Sequence, residues 1–318
     1  MLDPRLFRAE AVTAETTRFN EELEKLLASQ PPISEFPPER IRAARAEGGS
    51  IWGEVREVDA ARTRLLPDSA GGVPARLLVP PGEIRGVYLH FHGGGWVLGE
   101  ARYSDVANWA LARHCQLAVV SIDYRLAPEH PFPAGPDDCE AAARWLVEHA
   151  GQEFGSDTLL IGGESAGAHL ALLTLLRMRD RHGFRGFAGA NLVYGMYDLE
   201  MTASVRRWGR RNLILSTPII EWFLDHAVPD STERKEPGIS PLNADLSGLP
   251  PAHLCVGTLD PLLDDTLFLH ARWLAAGGAA SLFVAPGGIH AFDQFPIPLA
   301  KQARERVEHF VEGVLAAG

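Results

Sequence analysis

Ser165 stands in Gly163-Glu164-Ser165-Ala166-Gly167, the stretch whose spacing most directly implies chemistry. The pentapeptide follows the apolar run Leu159-Leu160-Ile161 and opens a helical pattern from Ala166 to Arg181. A strand that becomes a helix within one residue strains that residue's backbone and lifts its side chain clear of both elements. The positions two before and two after the turn crowd one another, which accounts for glycine at both. A serine so presented is a nucleophile once a base and an orienting carboxylate reach it.

The candidate bases after Ser165 are His169, His182, His226, His253, His270, His290 and His309. His169 and His182 fall on or at the end of the serine's own helix, and His270 and His309 on other helical stretches. His253 lies within a strand pattern, and His226 in a long irregular stretch. Only His290 follows a strand, Leu282-Phe283-Val284, through a loop that Gly287 and Gly288 free to present an imidazole. The carboxylate is expected after the preceding strand, where Leu254-Cys255-Val256 leads to Asp260. Asp264 and Asp265 are the alternatives, but they open a helix, where acids usually serve as caps or dipole partners.

Upstream, His92-Gly93-Gly94-Gly95-Trp96 follows the strand Val87 to Phe91. Three glycines bring backbone N–H groups close to a substrate oxygen that becomes negative in the transition state. The N–H groups of Gly93 and Gly94, joined by that of Ala166, are the expected oxyanion donors. A phosphate loop is disfavoured, because neither a Lys-Ser/Thr pair nor a G-x-G-x-x-G pattern is present.

These residues need a scaffold that presents strand ends. Short runs apolar on both faces, Val87 to Phe91, Leu117 to Ile122, Leu159 to Ile161, Leu254 to Val256 and Leu282 to Val284, suit a sheet covered on both sides. Glu54 to Leu66 and Val73 to Val79 are two further expected strands, joined by the turn-prone Pro67 to Gly72. Helical patterns alternate with the runs: Asp105 to His114, Pro136 to His149, Ala166 to Arg181, Asp264 to Ala276 and Pro298 to Leu315. The alternation predicts an α/β fold with a mainly parallel sheet.

Two regions stand outside it. Residues 1–50 hold helical patterns over Ala14 to Ser29 and Glu39 to Glu47, broken by Pro31-Pro32 and Pro37-Pro38, and read as a helical arm. Residues 198–249 carry no apolar strand run, but do carry Trp208, Trp222 and Phe223 among arginines, and read as a cap insertion. The core is then 51–197 with 250–318.

Composition bounds the function. The 318 residues are 46% apolar and 22% charged, which excludes disorder for the bulk of the chain. Net charge is 30 − 41 = −11, which disfavours nucleic acid and anionic membrane surfaces as partners. Cys115, Cys139 and Cys255 have no paired spacing and read as reduced core residues. The N-terminus lacks the apolar stretch of a signal peptide, and no run approaches the ~20 residues of a membrane span, so a cytoplasmic setting is expected.

Taken together, these motifs resemble those of the bacterial hormone-sensitive-lipase-like esterases, a branch of the α/β-hydrolase fold. The resemblance rests on His92 to Trp96, on Tyr124-Arg125-Leu126-Ala127-Pro128-Glu129-His130-Pro131-Phe132-Pro133-Ala134, on Gly163 to Gly167, on Asp260-Pro261-Leu262 and on His290-Ala291-Phe292. It runs from about Leu77 to the C-terminus. Glu164 stands where that family usually has Asp, and Ala291 where it usually has Gly. The resemblance implies a helical cap, hydrolysis of short- to medium-chain carboxylic esters, and no metal or organic cofactor. An amidase or lactonase with the same triad, or a non-catalytic binding protein on the same fold, are the alternatives, and a homodimer stays open. The Tyr124 to Ala134 segment is expected to brace the glycine loop. The arm and the insertion are expected to lie over Ser165, with Trp96, Trp208, Trp222 and Phe223 as pocket candidates.

Overall fold

The computed structural model describes residues 2–67 and 71–317. Among these residues one eight-stranded sheet forms the centre, in the order β1-β2-β4-β3-β5-β6-β7-β8. Its strands are β1 (Arg62–Leu65), β2 (Pro74–Leu78), β3 (Gly86–Phe91), β4 (Leu117–Ile122), β5 (Leu159–Glu164), β6 (Phe187–Val193), β7 (Ala252–Leu259) and β8 (Ala280–Ile289). β2 runs antiparallel to β1 and β4, and every other pairing is parallel.

The period of two along the strands divides the core. Val87, Leu89 and Phe91 of β3, with Ala118, Val120 and Ile122 of β4, face one side. There they meet α4 (Ala134–Phe154), α5 (Ala166–His182) and α8 (Leu263–Ala275). Tyr88, Leu117 and Val119 face the other side, against α3 (Asp105–Cys115) and α9 (Pro298–Ala317). Burial on both faces explains the unbroken apolar runs, each fully buried side chain contributing about 1.5–3 kcal/mol. The three cysteines are buried and unpaired in this core, as expected.

Two readings of the sequence need correction. Glu54 to Leu66 is not one strand: only Arg62–Leu65 joins the sheet, as an edge. And β6 was not anticipated. Its sequence FAGANLV is small or polar through the middle, Ala188 to Asn191, and at Gly189 α9 leaves no room for a side chain: a Cβ there would meet Val314 at 2.9 Å and Phe310 at 3.1 Å. Asp68, Ser69 and Ala70, the middle of the expected turn, lie outside the described residues; Gly72 N donates to Pro67 O across them at 3.2 Å.

The arm contributes α1 (Ala14–Ala28) and α2 (Pro38–Ala46), and the insertion contributes α6 (Ala203–Trp208) and α7 (Thr217–Ala227). Each is tied to the core by side chains reaching backbone. Asn20 Nδ2 donates to Gly287 O at 2.8 Å, on the strand that leads to His290. Asp265 accepts from Tyr197 N at 2.7 Å, Asp198 N at 2.9 Å and Thr202 Oγ1 at 2.7 Å, at the start of the insertion. Asp264 accepts from Ser204 N at 2.8 Å. Arg211 joins insertion to arm through Glu24 at 2.8 Å. Among the described residues no helix is long and apolar enough to cross a membrane.

Candidate active site

Ser165 caps α5 with φ 55° and ψ −119°, a conformation that costs of order 1–3 kcal/mol and persists only where its surroundings dictate it. β5 ends at Glu164 and α5 begins at Ala166, so the turn occupies Ser165 alone. The flanking glycines are crowded chiefly by β3. A Cβ on Gly163 or on Gly167 would strike Phe91 O, and one on Gly163 would also meet Gly167. Ser165 N donates to Val193 O at 2.8 Å, which fixes the turn against the end of β6.

His290 Nε2 lies 2.9 Å from Ser165 Oγ, and its Nδ1 lies 2.9 Å from Asp260 Oδ2. With Nδ1–H donating to the carboxylate, Nε2 is left to accept from the hydroxyl. Asp260 is 1% exposed and His290 4% exposed, and Asp260 Oδ1 accepts from Leu262 N at 2.8 Å. Asp260 thus follows β7 directly and His290 follows β8 directly, side by side at the same end of the sheet. Gly287 and Gly288 belong to β8 itself rather than to a loop. They form an irregularity there, where Gly257 and Gly288 pass so closely that a Cβ on Gly257 would strike Gly288 O. Asp264 and Asp265 face the insertion, as their bonds to Ser204, Tyr197, Asp198 and Thr202 show, and are separate from the His290 pair.

The glycine loop corrects one expectation. Gly93 N–H does not face a substrate; it donates to Glu164 Oε1 at 3.1 Å, which also accepts from Ser104 Oγ at 3.2 Å. Glu164 Oε2 meets His90 Nε2 at 2.9 Å, and His90 Nδ1 meets Ser121 Oγ at 2.8 Å. Burial raises the Glu164 pKa, but the His90 charge and hydrogen bond, with the Gly93 N–H, outweigh it and hold the carboxyl below its usual range. Among the described residues the N–H groups of Gly94, Gly95 and Ala166 have no acceptor. The segment after β4 does brace the loop. Tyr124 Oη donates to His92 O at 2.8 Å, Ala127 N donates to Trp96 O at 3.0 Å, and Arg125 grips Asp138 of α4 at 2.7 Å.

Above Ser165 and His290 lies a cavity of about 400 Å³, roofed by the arm through residues such as Ile33, Phe36 and Ile41, and by the insertion through Ile214, Ile219 and Phe223. Of the four aromatic candidates only Phe223 lines it. Trp96 turns away, donates from Nε1 to His169 Nδ1 at 3.1 Å and borders a separate small recess with Tyr124 and Val228. Trp208 donates to Arg211 O at 2.7 Å and packs against the apolar cluster that includes Tyr194, Leu213 and Phe292. Trp222 packs on Phe223 and His226 within the insertion.

Two residues beside the site gave no signal in the sequence. Tyr194 follows the unanticipated β6, sets its ring edge-on to His290 with centroids 4.8 Å apart, and donates from Oη to Asp293 at 2.6 Å. Burial pushes the Asp293 carboxyl up to about 6. Ala291 sits at φ 58°, the left-handed region, which is why glycine would be easier there.

Comparisons with known proteins place the chain in a family. Residues 88–294 match the family described as the alpha/beta hydrolase fold. The carboxylic ester hydrolase LipN of Mycobacterium tuberculosis is 36% identical over 235 residues, 71% of this chain and 62% of LipN, so the chain spans somewhat under two thirds of that relative. The carboxylesterase NlhH of the same organism is 36% identical over 257 residues, 75% of this chain and 77% of NlhH. A solved esterase from Pyrobaculum calidifontis superimposes with a TM-score of 0.83 at 29% identity, covering 92% of this chain and 97% of that one. With eight strands in this order, an elbow serine after β5 and a matched segment running from β3 to just past His290, the chain belongs to the α/β-hydrolase-fold family.

Proposed function

We propose that the chain is a serine carboxylic ester hydrolase that works through Ser165, His290, Asp260 and an acyl-enzyme. The observation that carries this is the continuous hydrogen-bonded line from Ser165 Oγ through His290 to Asp260, set beneath a cavity of about 400 Å³. The similarity to LipN, NlhH and the Pyrobaculum esterase supports the same reading.

In this mechanism His290 Nε2 takes the Ser165 proton as Oγ attacks the ester carbonyl carbon. The carbonyl oxygen becomes an oxyanion, received by the free N–H groups of Gly94, Gly95 and Ala166, each donor supplying about 3–4 kcal/mol in the transition state. Asp260 fixes the His290 tautomer and stabilises the imidazolium. His290 then gives its proton to the leaving alcohol. Water, deprotonated by His290 in turn, attacks the acyl carbon and restores Ser165. Glu164 holds the glycine loop in place through Gly93, and so acts as a positioning residue. The size of the cavity and its apolar lining at Ile214, Ile219 and Phe223 suit a short to medium chain.

The test is labelling by a serine-reactive p-nitrophenyl phosphonate followed by peptide mass analysis. A single adduct on Ser165, with parallel loss of p-nitrophenyl ester turnover, is expected. An adduct on another serine, or full activity after labelling, overturns the assignment. A matched panel of esters and anilides then sorts esterase from amidase, with the esters expected to be turned over faster.

A further inference from the structure

Helix α2 sends three arginines toward the glycine loop and the cavity, and their surroundings differ. Arg42 is saturated: it donates to Val97 O at 2.8 Å, to Ala127 O at 2.6 Å and to Glu129 at 2.7 Å. Arg40 also borders the cavity but is exposed, and lies over the ring of Phe36. Arg45 is half-buried and lines the cavity that holds Ser165. Its Cζ lies 4.4 Å from the ring centroid of Tyr103 and 5.2 Å from that of Trp52.

Among the described residues nothing accepts a hydrogen bond from Arg45, and no carboxylate pairs with it. Glu100, whose charge reaches it, is already bonded to Arg102 Nε at 2.6 Å and to Tyr103 Oη at 3.0 Å. Ring stacking occupies the faces of a guanidinium but leaves its in-plane N–H groups free. Burial lowers the Arg45 pKa from its ordinary value, yet an arginine stays charged at any working pH. A half-buried cation with unused donors is costly unless something satisfies it. The cavity is polar elsewhere too: Asn212 lines it and carries a buried Oδ1 that has no partner among the described residues.

We propose that Arg45 is a specificity residue that binds a carboxylate on the substrate, so that Ser165 preferentially hydrolyses esters carrying a free carboxylate, such as half-esters of dicarboxylic acids. A carboxylate accepts two parallel N–H bonds from one guanidinium, and its single charge matches that of Arg45, the half-buried arginine of the cavity, whereas Arg40 is exposed to water. A phosphate dianion would bring a second charge that Arg45 by itself does not match. The proposal rests on the esterase reading above.

The test compares kcat/KM for p-nitrophenyl hydrogen adipate with that for p-nitrophenyl hexanoate, which has the same number of acyl carbons and no charge. The unaltered enzyme is expected to favour the adipate. Arg45→Gln should lower the adipate-to-hexanoate ratio at least tenfold, mainly through KM for the adipate, and Arg45→Lys should restore part of it. A purely structural Arg45 would lower both rates alike, and an unchanged ratio in Arg45→Gln overturns the proposal. So does an unaltered enzyme that prefers the hexanoate. Hexanoate turnover itself reports on Ser165: its absence sinks the esterase reading, whereas its presence without any carboxylate effect sinks this proposal alone.

Discussion

The strand-end site and its cover are built by different means. Ser165, Asp260 and His290 sit immediately after β5, β7 and β8, and backbone geometry fixes them: a positive φ at the serine, and close contacts that admit only glycine at 163, 167 and 257. The arm and the insertion are held instead by side chains that reach across the chain. Arg42 grips the segment after the glycine loop, Asn20 grips Gly287, Asp265 grips residues 197, 198 and 202, and Arg211 grips Glu24. A few substitutions can alter such a cover without touching the strand ends, so one chemistry can serve many substrates on this scaffold.

That contrast predicts that mutations at the strand ends abolish turnover, whereas mutations in the cover change stability or selectivity. The largest effect is expected for Ser165→Ala, about 10⁶-fold in kcat, the scale the loss of a triad serine shows elsewhere. Initial rates on a short-chain p-nitrophenyl ester measure it, and retention of a tenth of the activity breaks the contrast at its centre. Asp260→Asn should follow with about 10⁴-fold, because the amide favours the wrong His290 tautomer. Asp264→Asn should cost at most about tenfold, since that carboxylate bonds to Ser204 and not to the triad. An inverted order between Asp260 and Asp264 would move the acid into the cover's anchor.

Asp265 tests the joint between the two regions. Asp265→Ala leaves two backbone N–H groups and the Thr202 hydroxyl without their acceptor, and should cost about 2–4 kcal/mol in denaturant unfolding. Asp265→Asn keeps an acceptor for the N–H groups and should cost much less. Burial raises the Asp265 pKa from 3.8 to about 7. The folded state therefore binds this proton more tightly than the unfolded chain does. The stability linked to it is full below about pH 4 and declines as pH rises to about 7. The wild-type protein should accordingly lose stability relative to Asp265→Asn between pH 4 and pH 7, and a constant difference would contradict the burial of a titrating carboxylate. The smallest effect belongs to Arg211→Ala, whose exposed pair with Glu24 should contribute under about 1 kcal/mol and weaken further with salt.

Much of this protein was legible in its sequence, for a physical reason. A strand-to-helix turn at one serine can be made only by a particular local pattern, and catalytic order along the chain follows strand order in the sheet. Gly163 to Gly167, Asp260 after β7 and His290 after β8 therefore stood where expected. The apolar runs of β3, β4 and β5 were equally plain, because burial on both faces leaves no polar position. What only the tertiary structure decided depends on partners far along the chain. Gly93 N–H is taken by Glu164, 71 positions away, and no local pattern signals that. β6 is masked because its middle, Ala188 to Asn191, is small or polar, and α9 presses on Gly189 so that no side chain fits there. Trp96, Trp208 and Trp222 could each have faced the cavity or a core, since periodicity marks an apolar face but not which neighbour covers it. Phe223 faces the cavity and Arg45 lines it without a carboxylate partner because the arm and the insertion close over the strand ends from opposite parts of the sequence.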